Sequence, residues 1–287
     1  MTRYLGVIGH PGKTSLSPSF QQAALDALRL DVRYEAWPTA EEELADRIAG
    51  LREADRLGAN VTIPHKEAVV PLLDEVDELA SRVGAVNTIV NRDGRLSGHN
   101  TDVGGFLRAL REDGGFEPAG ARVVVAGAGG AARAVAVALI DSGAASVTVI
   151  NRTLARAGRL VDELRPAGGA TELHALPGVA VSWTGAARSC RLLINCTSVG
   201  MAGTPEEKES PVPTEAIPSD ALVFDLIYQP AETPLMAAAR RRGARVLGGL
   251  PMLIYQGAES LRMWTGHEAP TDVMFRAARE ALAVGRA

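Results

Sequence analysis

Residues 122–133 read RVVVAGAGGAAR, a pattern that predicts a strand running through a glycine turn directly into a helix. Val123–Val125 is a short β-branched run, and Gly127, Gly129 and Ala132 fall on the small positions of a GxGxxA turn. The first glycine allows the tight turn, the second lets a pyrophosphate approach the backbone, and the alanine lets the helix pack on the strand. The free N–H groups of the helix start favour phosphate. The stretch predicts a dinucleotide-binding fold, although such turns also occur for purely structural reasons. The residues expected to contact the cofactor here are Gly127, Ala128, Gly129, Gly130 and Ala131.

Length and composition limit the class of protein. A chain of 287 residues is long enough for about two domains. The net charge of -4 and pI near 5.8 argue against a nucleic-acid partner, which would require a basic face. Cys190, Cys196 and five scattered histidines give no metal-ligand spacing, so we expect no metal and a reducing compartment. No apolar run approaches the roughly eighteen residues of a membrane span, and we expect a cytoplasmic protein without a membrane partner.

The first third of the chain alternates strand and helix patterns. This βαβα order is typical of an α/β layer with a largely parallel sheet. Ser17 with Pro18 predicts a capped helix start, and Thr39 with Glu42 predicts a capping box. The expected elements are a strand Tyr4–Ile8, a helix from Ser17 to about Leu28, a strand Val32–Trp37 and a helix from Thr39 to about Ala54.

Polar residues follow the early strands, where ligands of open α/β sheets bind. Ser15 and Ser17 lie in the loop after the first strand and can hold a ligand carboxylate, although Ser17 also has the capping role. Asn60, Thr62 and Lys66 surround the end of a later strand. Only three of the 30 basic residues are lysines, at positions 13, 66 and 208. Lysine, unlike arginine, can release its proton, so Lys66 is a functional candidate, with a solvated surface lysine as the alternative.

A predicted hairpin leads to the next candidate residue. The Asp93-Gly94 turn separates two short strand patterns, Ile89–Asn91 and Arg95–Ser97. The chain then reaches Asp102, directly before a helix pattern. From the pattern alone, Asp102 is as consistent with a helix cap as with a catalytic carboxylate, and the two roles do not exclude each other.

The residues at the end of the next predicted strand after the glycine turn indicate which nicotinamide cofactor is bound. The strand Ser146–Ile150 ends at Asn151, Arg152 and Thr153, where an NAD site would have a carboxylate for the ribose hydroxyls. The planar, permanently charged guanidinium of Arg152 suits a 2'-phosphate instead. The pattern therefore predicts NADP(H) rather than NAD(H). The alternative is that Thr153 only caps the following helix and Arg152 is solvated.

Three further strands and three helices complete the pattern. Loops beginning at Cys196 and Ile227 are expected at the same edge of the sheet as the glycine turn. The last two helices exceed what the cofactor sheet requires, so they can return to complete the first domain. These elements are the strands Leu192–Asn195, Leu222–Leu226 and Arg245–Leu247, and the helices from Thr233 to Arg242, from Gly248 to about Trp264, and from Thr271.

Together, these motifs closely resemble the shikimate dehydrogenase family over nearly the whole chain. The matching blocks are SLSP (15–18), GANVTIPHKE (58–67), GAVNT (84–88), NTD (100–102), GAGGAAR (127–133), NRT (151–153), CTSVGM (196–201), DLIYQP (225–230) and GGLPMLIYQGA (248–258). So many ordered blocks are far more specific than a glycine turn alone.

The resemblance implies an α/β protein of two domains that reversibly reduces 3-dehydroshikimate to shikimate with NADPH, on the route through chorismate to aromatic amino acids. Residues 1–102 and 250–287 would form the substrate-binding and catalytic domain, and residues 103–249 a Rossmann-type NADP-binding domain. Lys66 and Asp102 would be the catalytic pair. The substrate carboxylate would be bound by Ser15, Ser17 and Thr62 and the ring hydroxyls by Asn87, Asp102 and Gln256, and Tyr228 would line the pocket. Further cofactor contacts would come from Asn151, Arg152, Thr153, Thr197, Gly249 and Met252.

Two other functions stay open at this point. A quinate/shikimate dehydrogenase of the same superfamily would share the fold and the Lys66–Asp102 pair but often prefers NAD, and Arg152 argues against it. A catalytically silent dinucleotide-binding regulator on this scaffold is disfavoured by the intact Lys66, Asp102 and Gln256. The sequence allows either a monomer or a homodimer.

Overall fold

Two six-stranded sheets organise the residues that the computed structural model describes, which are 2–11, 15–167 and 169–284. Lys13, one of the three lysines, lies outside these ranges. The chain divides into two compact units, Met1–Gly105 with Leu253–Ala287, and Phe106–Met252. This confirms the expected α/β class; the assignment of substrate and cofactor to particular stretches stays a prediction.

Twelve strands make up the two sheets of the described chain. The first six belong to the first unit and the last six to the second. They are β1 (Arg3–Gly9), β2 (Val32–Pro38), β3 (Arg56–Val61), β4 (Glu75–Val76), β5 (Thr88–Arg92), β6 (Arg95–His99), β7 (Arg122–Ala126), β8 (Ser146–Asn151), β9 (Glu172–Pro177), β10 (Leu192–Asn195), β11 (Leu222–Asp225) and β12 (Arg245–Leu247).

The α-helices lie between and after these strands. The chain passes from the first unit to the second within α4 and returns within α9. They are α1 (Ser17–Ala27), α2 (Leu44–Gly50), α3 (Glu78–Val83), α4 (Asp102–Arg108), α5 (Gly130–Asp141), α6 (Leu154–Leu164), α7 (Ala180–Ala187), α8 (Pro234–Arg241), α9 (Leu250–Thr265) and α10 (Thr271–Val284). Among the described residues, no helix has the length and apolar character needed to cross a bilayer.

The sheet of the first unit is mixed. Its order is β2-β1-β3-β5-β6-β4, with β1 parallel to β2 and β3, and with β5 antiparallel to both β3 and β6. Asp93 and Gly94 make the two-residue turn with φ of 54° and 84°, which returns the chain directly alongside itself. The expected parallel pairing therefore holds for the first three strands, and the predicted hairpin supplies the antiparallel part.

Two helix starts of the first unit differ from the prediction. Leu16 occupies the cap position of α1 and Ser17 is its first helical residue, and the Ser15 hydroxyl accepts the Ser17 N–H at 3.1 Å. The predicted Thr39–Glu42 capping box is also wrong. Instead, Glu43 accepts the Ala40 N–H at 3.1 Å at the start of a 3-10 turn, and α2 ends at Gly50 rather than near residue 54.

The core of the first unit joins its sheet to α2. Ile8, Ala59 and Ile89 from the strands pack with Leu44 and Ile48. Each fully buried aliphatic side chain contributes about 1.5–3 kcal/mol relative to exposure, so this packing fixes the strand ends from which the polar loops emerge.

The sheet of the second unit is parallel throughout, with the order β12-β11-β10-β7-β8-β9. Numbered within the unit, this is the 3-2-1-4-5-6 order of a doubly wound dinucleotide-binding sheet. The order reverses between β7 and β10, and ligands of such sheets bind at the carboxyl ends beside that reversal. The predicted Rossmann-type fold is confirmed.

Candidate active site

Lys66 and Asp102 form a close ion pair in the first unit. Nζ of Lys66 donates to Oδ2 of Asp102 at 2.6 Å, and their side chains are 17% and 5% exposed. Lys66 follows β3, and its carbonyl oxygen accepts the Val86 N–H at 2.8 Å, which fixes its backbone beside β5. Asp102 is the first residue of α4. The two predicted catalytic residues, 36 positions apart in the chain, are therefore directly bonded.

Asn87 organises the other side of this pair. Its Nδ2 lies 2.9 Å from Oδ1 of Asp102, 2.9 Å from Oγ1 of Thr101 and 3.2 Å from Oε1 of Gln256. Its Oδ1 accepts the Thr101 N–H at 2.8 Å. An amide with two N–H groups thus connects three acceptors, and the structure brings Lys66, Asp102, Asn87 and Gln256 into one cluster.

A second layer of polar side chains supports Asn87 from the interior. Asn60 donates from Nδ2 to the Asn87 carbonyl oxygen at 3.1 Å and to Oγ of Ser260 at 3.0 Å. Its Oδ1 accepts from the Tyr34 hydroxyl at 2.7 Å. Burial raises the pKa of Tyr34 far above its ordinary value, and a hydrogen bond with Ser17 lowers it in part. Asn60, which was expected near a pocket, is buried, and its amide is occupied by internal partners, so in the structure it supports Asn87.

Thr101 and Ser260 were missed by the sequence analysis. Their hydroxyls lie 3.2 Å apart, and Thr88 Oγ1 lies 2.7 Å from Ser260. The available signal was the four-residue spacing of Gln256 and Ser260, which places two polar side chains on one face of α9.

The three hydroxyls expected to bind a carboxylate lie after β1 and β3. Ser15 and Ser17 are joined through the hydrogen bond at the start of α1. Thr62 donates its N–H to the Ile8 carbonyl oxygen at 2.9 Å and is half-buried. In the described part of the chain, no hydrogen bond joins these hydroxyls directly to Lys66 or Asp102. They form a separate group on the same unit.

His65 has a structural environment although it precedes Lys66. The ring is 1% exposed, and its Nε2 lies 2.8 Å from the Thr39 carbonyl oxygen, to which it can only donate. This bond ties the loop after β3 to the chain after β2 and assigns the proton to Nε2.

The glycine turn of the second unit has the geometry that its small residues require. Gly127 follows β7 with φ of 106°, and a Cβ there would lie 3.1 Å from Cγ2 of Thr197. Around Gly129, which precedes α5, a Cβ would meet open space. Ala132 is fully buried. The backbone before α5 is thus free to approach a ligand, and the helix start supplies unpaired N–H groups.

Arg152 is available to a ligand at the end of β8. Its side chain is 91% exposed, and its NH1 lies 3.7 Å from Oε1 of Glu206, an exposed contact of small energy. Asn151 donates from Nδ2 to the Thr153 carbonyl oxygen at 2.9 Å. Thr153 occupies the cap position of α6, but its side chain makes no cap bond. Capping therefore does not account for this hydroxyl.

The remaining candidates lie after β10 and β11 and at the start of α9. Asn195 Oδ1 accepts from the Thr197 N–H at 2.9 Å and from its hydroxyl at 2.7 Å. The Gly249 N–H donates to the Ile227 carbonyl oxygen at 3.0 Å, and a Cβ at Gly249 would overlap the carbonyl oxygen of Leu226. Burial raises the pKa of Tyr228. Met252 is 7% exposed.

No metal centre is formed by the residues described here. Among them, no group of three or more His, Cys, Asp or Glu side chains is placed to hold an ion.

Family models match three stretches of the chain. Residues 7–89 match the shikimate dehydrogenase substrate binding domain, residues 112–182 match shikimate / quinate 5-dehydrogenase, and residues 249–279 match the shikimate 5'-dehydrogenase C-terminal domain.

Full-length relatives and solved structures agree with these matches. A shikimate dehydrogenase (NADP(+)) of Moorella thermoacetica is 47% identical, with 98% of this chain and 94% of that protein covered. The structure of the Thermus thermophilus shikimate 5-dehydrogenase with NADP(H) and shikimate is 42% identical with a TM-score of 0.87, covering 98% and 100% of the two chains. The quinate dehydrogenase of Corynebacterium glutamicum in complex with NAD is 32% identical with a TM-score of 0.85, covering 97% and 99%.

Proposed function

Because the chain belongs to the shikimate dehydrogenase family, we propose how its own residues carry out that family's reaction. The protein is an NADP-dependent oxidoreductase that acts on a CH–OH group and interconverts 3-dehydroshikimate and shikimate, a step of the shikimate pathway. The observation that carries the residue assignment is the 2.6 Å pair of Lys66 and Asp102, with Asn87 and Gln256 around it.

Lys66 and Asp102 are the proposed catalytic pair. When NADPH is bound, its reduced nicotinamide supplies the hydride. The ketone oxygen then becomes an alkoxide, which requires a proton and a positive charge nearby. The Lys66 ammonium offers both, since only one of its three N–H groups is needed for Asp102. In the oxidation direction the same pair accepts the proton of the substrate hydroxyl.

Two groups of side chains on the first unit bind and orient the substrate. The hydroxyls of Ser15, Ser17 and Thr62 can donate to the carboxylate, because each carries an O–H beside the ends of β1 and β3. Asn87, Asp102 and Gln256 offer donors and acceptors that suit ring hydroxyls. Tyr228 stays a predicted substrate contact.

The second unit fits NADP on two features of its own. The left-handed Gly127 and the open space at Gly129 leave the backbone accessible to a pyrophosphate, as the GxGxxA turn requires. The exposed guanidinium of Arg152 supplies a permanent charge for the 2'-phosphate. The residues proposed to hold the cofactor are Gly127, Ala128, Gly129, Gly130, Ala131, Asn151, Arg152, Thr153, Thr197, Gly249 and Met252.

A quinate dehydrogenase with NAD preference is the alternative to exclude. Its support is the similarity to the NAD-bound quinate dehydrogenase at 32% identity, against 47% for the NADP-dependent shikimate dehydrogenase. The test is oxidation of shikimate followed with NADP+ and NAD+ side by side, with quinate as a competing substrate. We expect faster turnover with NADP+ and shikimate. Preference for NAD+ and quinate would support the alternative, and no turnover with any pair would support the silent regulator.

Oligomeric state and location are part of the same proposal. We expect a monomer or a homodimer in the cytoplasm, which light scattering on the eluted protein and cell fractionation would test.

A further inference from the structure

A buried carboxylate lies beneath two loops of the second unit. Asp225 is the last residue of β11 and Asn195 the last residue of β10, and they are paired neighbours in the sheet. Both are fully buried, and Asn195 Nδ2 donates to Asp225 Oδ1 at 3.0 Å. On its other side, Asn195 pairs with Ala126, directly before the glycine turn. This polar pair thus ends two adjacent strands, beside the carboxyl end of β7.

Hydrogen bonds join this pair to the loop after β10 and to the loop after β11. Asn195 Oδ1 accepts from the N–H and the hydroxyl of Thr197 at 2.9 and 2.7 Å. Asp225 Oδ1 also accepts the Ile227 N–H at 3.1 Å, and the Ile227 carbonyl oxygen accepts the Gly249 N–H at 3.0 Å. Thr197 and Gly249, two residues proposed to bind the cofactor, are therefore connected through the side chains of Asn195 and Asp225 and the backbone of Ile227.

The second oxygen of the carboxylate is also occupied. The Thr233 hydroxyl donates to Oδ2 of Asp225 at 2.6 Å and accepts the Met236 N–H at 3.2 Å, which caps α8. The thiol of Cys196 is a titratable neighbour, and burial together with the charge of Asp225 raises its pKa. The hydrogen-bond partners of Asp225 are thus neutral amide, hydroxyl and backbone groups.

Such a carboxylate is costly to bury. Removing an ion from water costs several kcal/mol, and neutral donors offset only part of it. Burial raises the pKa of Asp225 to about 6, and its three hydrogen bonds lower the pKa only in part. An apolar side chain would complete the strand without this cost, because Leu222, Val223 and Phe224 already fill the core. The hydrogen bonds to the loops are what an apolar residue could not supply.

We propose that Asp225 is a positioning residue for the cofactor: through Asn195 and Ile227 its carboxylate holds Thr197 and Gly249 in place, so that its loss weakens NADP binding more than shikimate binding. The inference rests on the proposed function of those two residues. It assigns no contact between Asp225 and the cofactor or the substrate, because Asp225 is fully buried and acts through Asn195 and Ile227.

The test is calorimetric titration of the full chain with NADP+ alone, without substrate. Asp225→Asn keeps the shape and removes the charge and one acceptor, and we expect its Kd for NADP+ to rise at least ~10-fold, the effect of losing about one charge-assisted hydrogen bond. Thr171→Val is the matched control, because Thr171 is 9% exposed in the same unit and donates from its hydroxyl to the Ala144 carbonyl oxygen at 2.8 Å. It should lower the melting temperature and leave the Kd within about twofold. In steady-state assays of Asp225→Asn, KM for NADP+ should rise by a larger factor than KM for shikimate, because the only predicted substrate contact on the loop after β11 is Tyr228.

A second pair of variants covers the case in which Asp225→Asn does not fold. Thr233→Val removes the hydroxyl that holds Oδ2 and should weaken NADP+ binding several-fold, and Thr233→Ser should restore it. If the folded Asp225→Asn protein, or in its place Thr233→Val, binds NADP+ within twofold of the parent, the positioning role is wrong. If the parent itself fails to oxidise shikimate with NADP+, the proposed function fails instead, and the two outcomes are separate.

Discussion

Asn87 donates a hydrogen bond of 2.9 Å from its side-chain amide to Oδ1 of Asp102. The other carboxylate oxygen is bonded to Lys66, so both oxygens of Asp102 have a fixed donor. The plane of the carboxylate is thereby set by two residues from different segments. A catalytic group held from two sides loses little freedom when substrate binds, which is how positioned groups lower a barrier.

Removing the Lys66 amine should abolish most turnover. Lys66→Ala is expected to lower kcat by about 100- to 10,000-fold, the usual contribution of an acid–base group. Lys66→Arg should stay low as well, because a guanidinium keeps the charge but does not release a proton near neutral pH. Initial rates of NADPH formation check both. Lys208→Ala, at an exposed lysine, is the control and should match the parent. A Lys66→Ala enzyme within a few-fold of the parent would remove this residue from the chemistry.

Truncating Asn87 should affect both the substrate and the local fold. Asn87→Ala removes donors to Asp102 and Gln256 and leaves the buried Thr101 N–H without its acceptor. We expect kcat/KM for shikimate to fall by about 10- to 100-fold and stability by about 1–3 kcal/mol, the cost of an unpaired buried group. Steady-state kinetics and urea unfolding give the two values. An unchanged KM for NADP+ would locate the defect on the substrate side, whereas a rise in that KM would contradict the assignment.

Arg152 should decide between the two nicotinamide cofactors. Arg152→Gln removes the charge proposed to bind the 2'-phosphate, and a charge-assisted hydrogen bond is worth about 1.5–3 kcal/mol. KM for NADP+ should therefore rise by about 10- to 100-fold, since ~1.4 kcal/mol is tenfold, while KM for NAD+ changes little. Arg159→Gln, at an exposed arginine of the following helix α6, is the control. An equal rise in KM for both cofactors would show that Arg152 does not bind the 2'-phosphate.

Alanine variants of Gly127 and Gly143 would distinguish the effect of backbone strain from the effect of blocking the approach of the cofactor. Gly127 has φ of 106° and a Cβ would lie 3.1 Å from Cγ2 of Thr197, whereas Gly143 has φ of 72° with open space around it. Both alanine variants should lose about 1–3 kcal/mol of stability, because a side chain is disfavoured at positive φ. Only Gly127→Ala should also weaken NADP+ binding, which titration of both purified variants would test. Equal affinity in the two variants would mean that the turn at Gly127 does not approach the cofactor.

The sequence predicted the elements whose pattern is local. The strands Leu192–Asn195 and Arg245–Leu247 were placed at their observed ends, because short apolar runs bounded by loops leave little choice. Strand β9 was not predicted. It is the edge strand of its sheet, and because none of its residues is fully buried, its sequence resembles that of an exposed loop. The predicted capping box does not form, because the turn begins one residue later, at Ala40, whose side chain has no acceptor; side-chain capping depends on backbone angles that the sequence does not reveal.

The candidate site likewise contains residues that the sequence predicted and residues whose role it did not predict. The motif resemblance named Lys66, Asp102, Asn87 and Gln256, and the structure brings them together although they are distant in the chain. Asn60 was expected at a pocket for its polarity, yet it is buried with its amide saturated. Polarity alone does not separate a ligand contact from an internal support, because both require a hydrogen-bonding side chain at a strand end.

The raised pKa of Asp225 predicts a specific dependence of stability on pH. Burial raises the pKa from 3.8 to about 6, so between these values the folded protein binds more protons than the unfolded chain. The free energy of unfolding attributable to this group is therefore full below pH 3.8 and is lost as the pH rises through about 6. Two pKa units correspond to about 3 kcal/mol. Relative to Asp225→Asn, which cannot titrate, the parent should lose about this amount between pH 4 and 7 and then remain level. Unfolding of both proteins across this range measures the difference. A difference that is constant with pH would mean that Asp225 stays ionised in the folded state at a lower pH, and that its partners stabilise the carboxylate more strongly than burial opposes it.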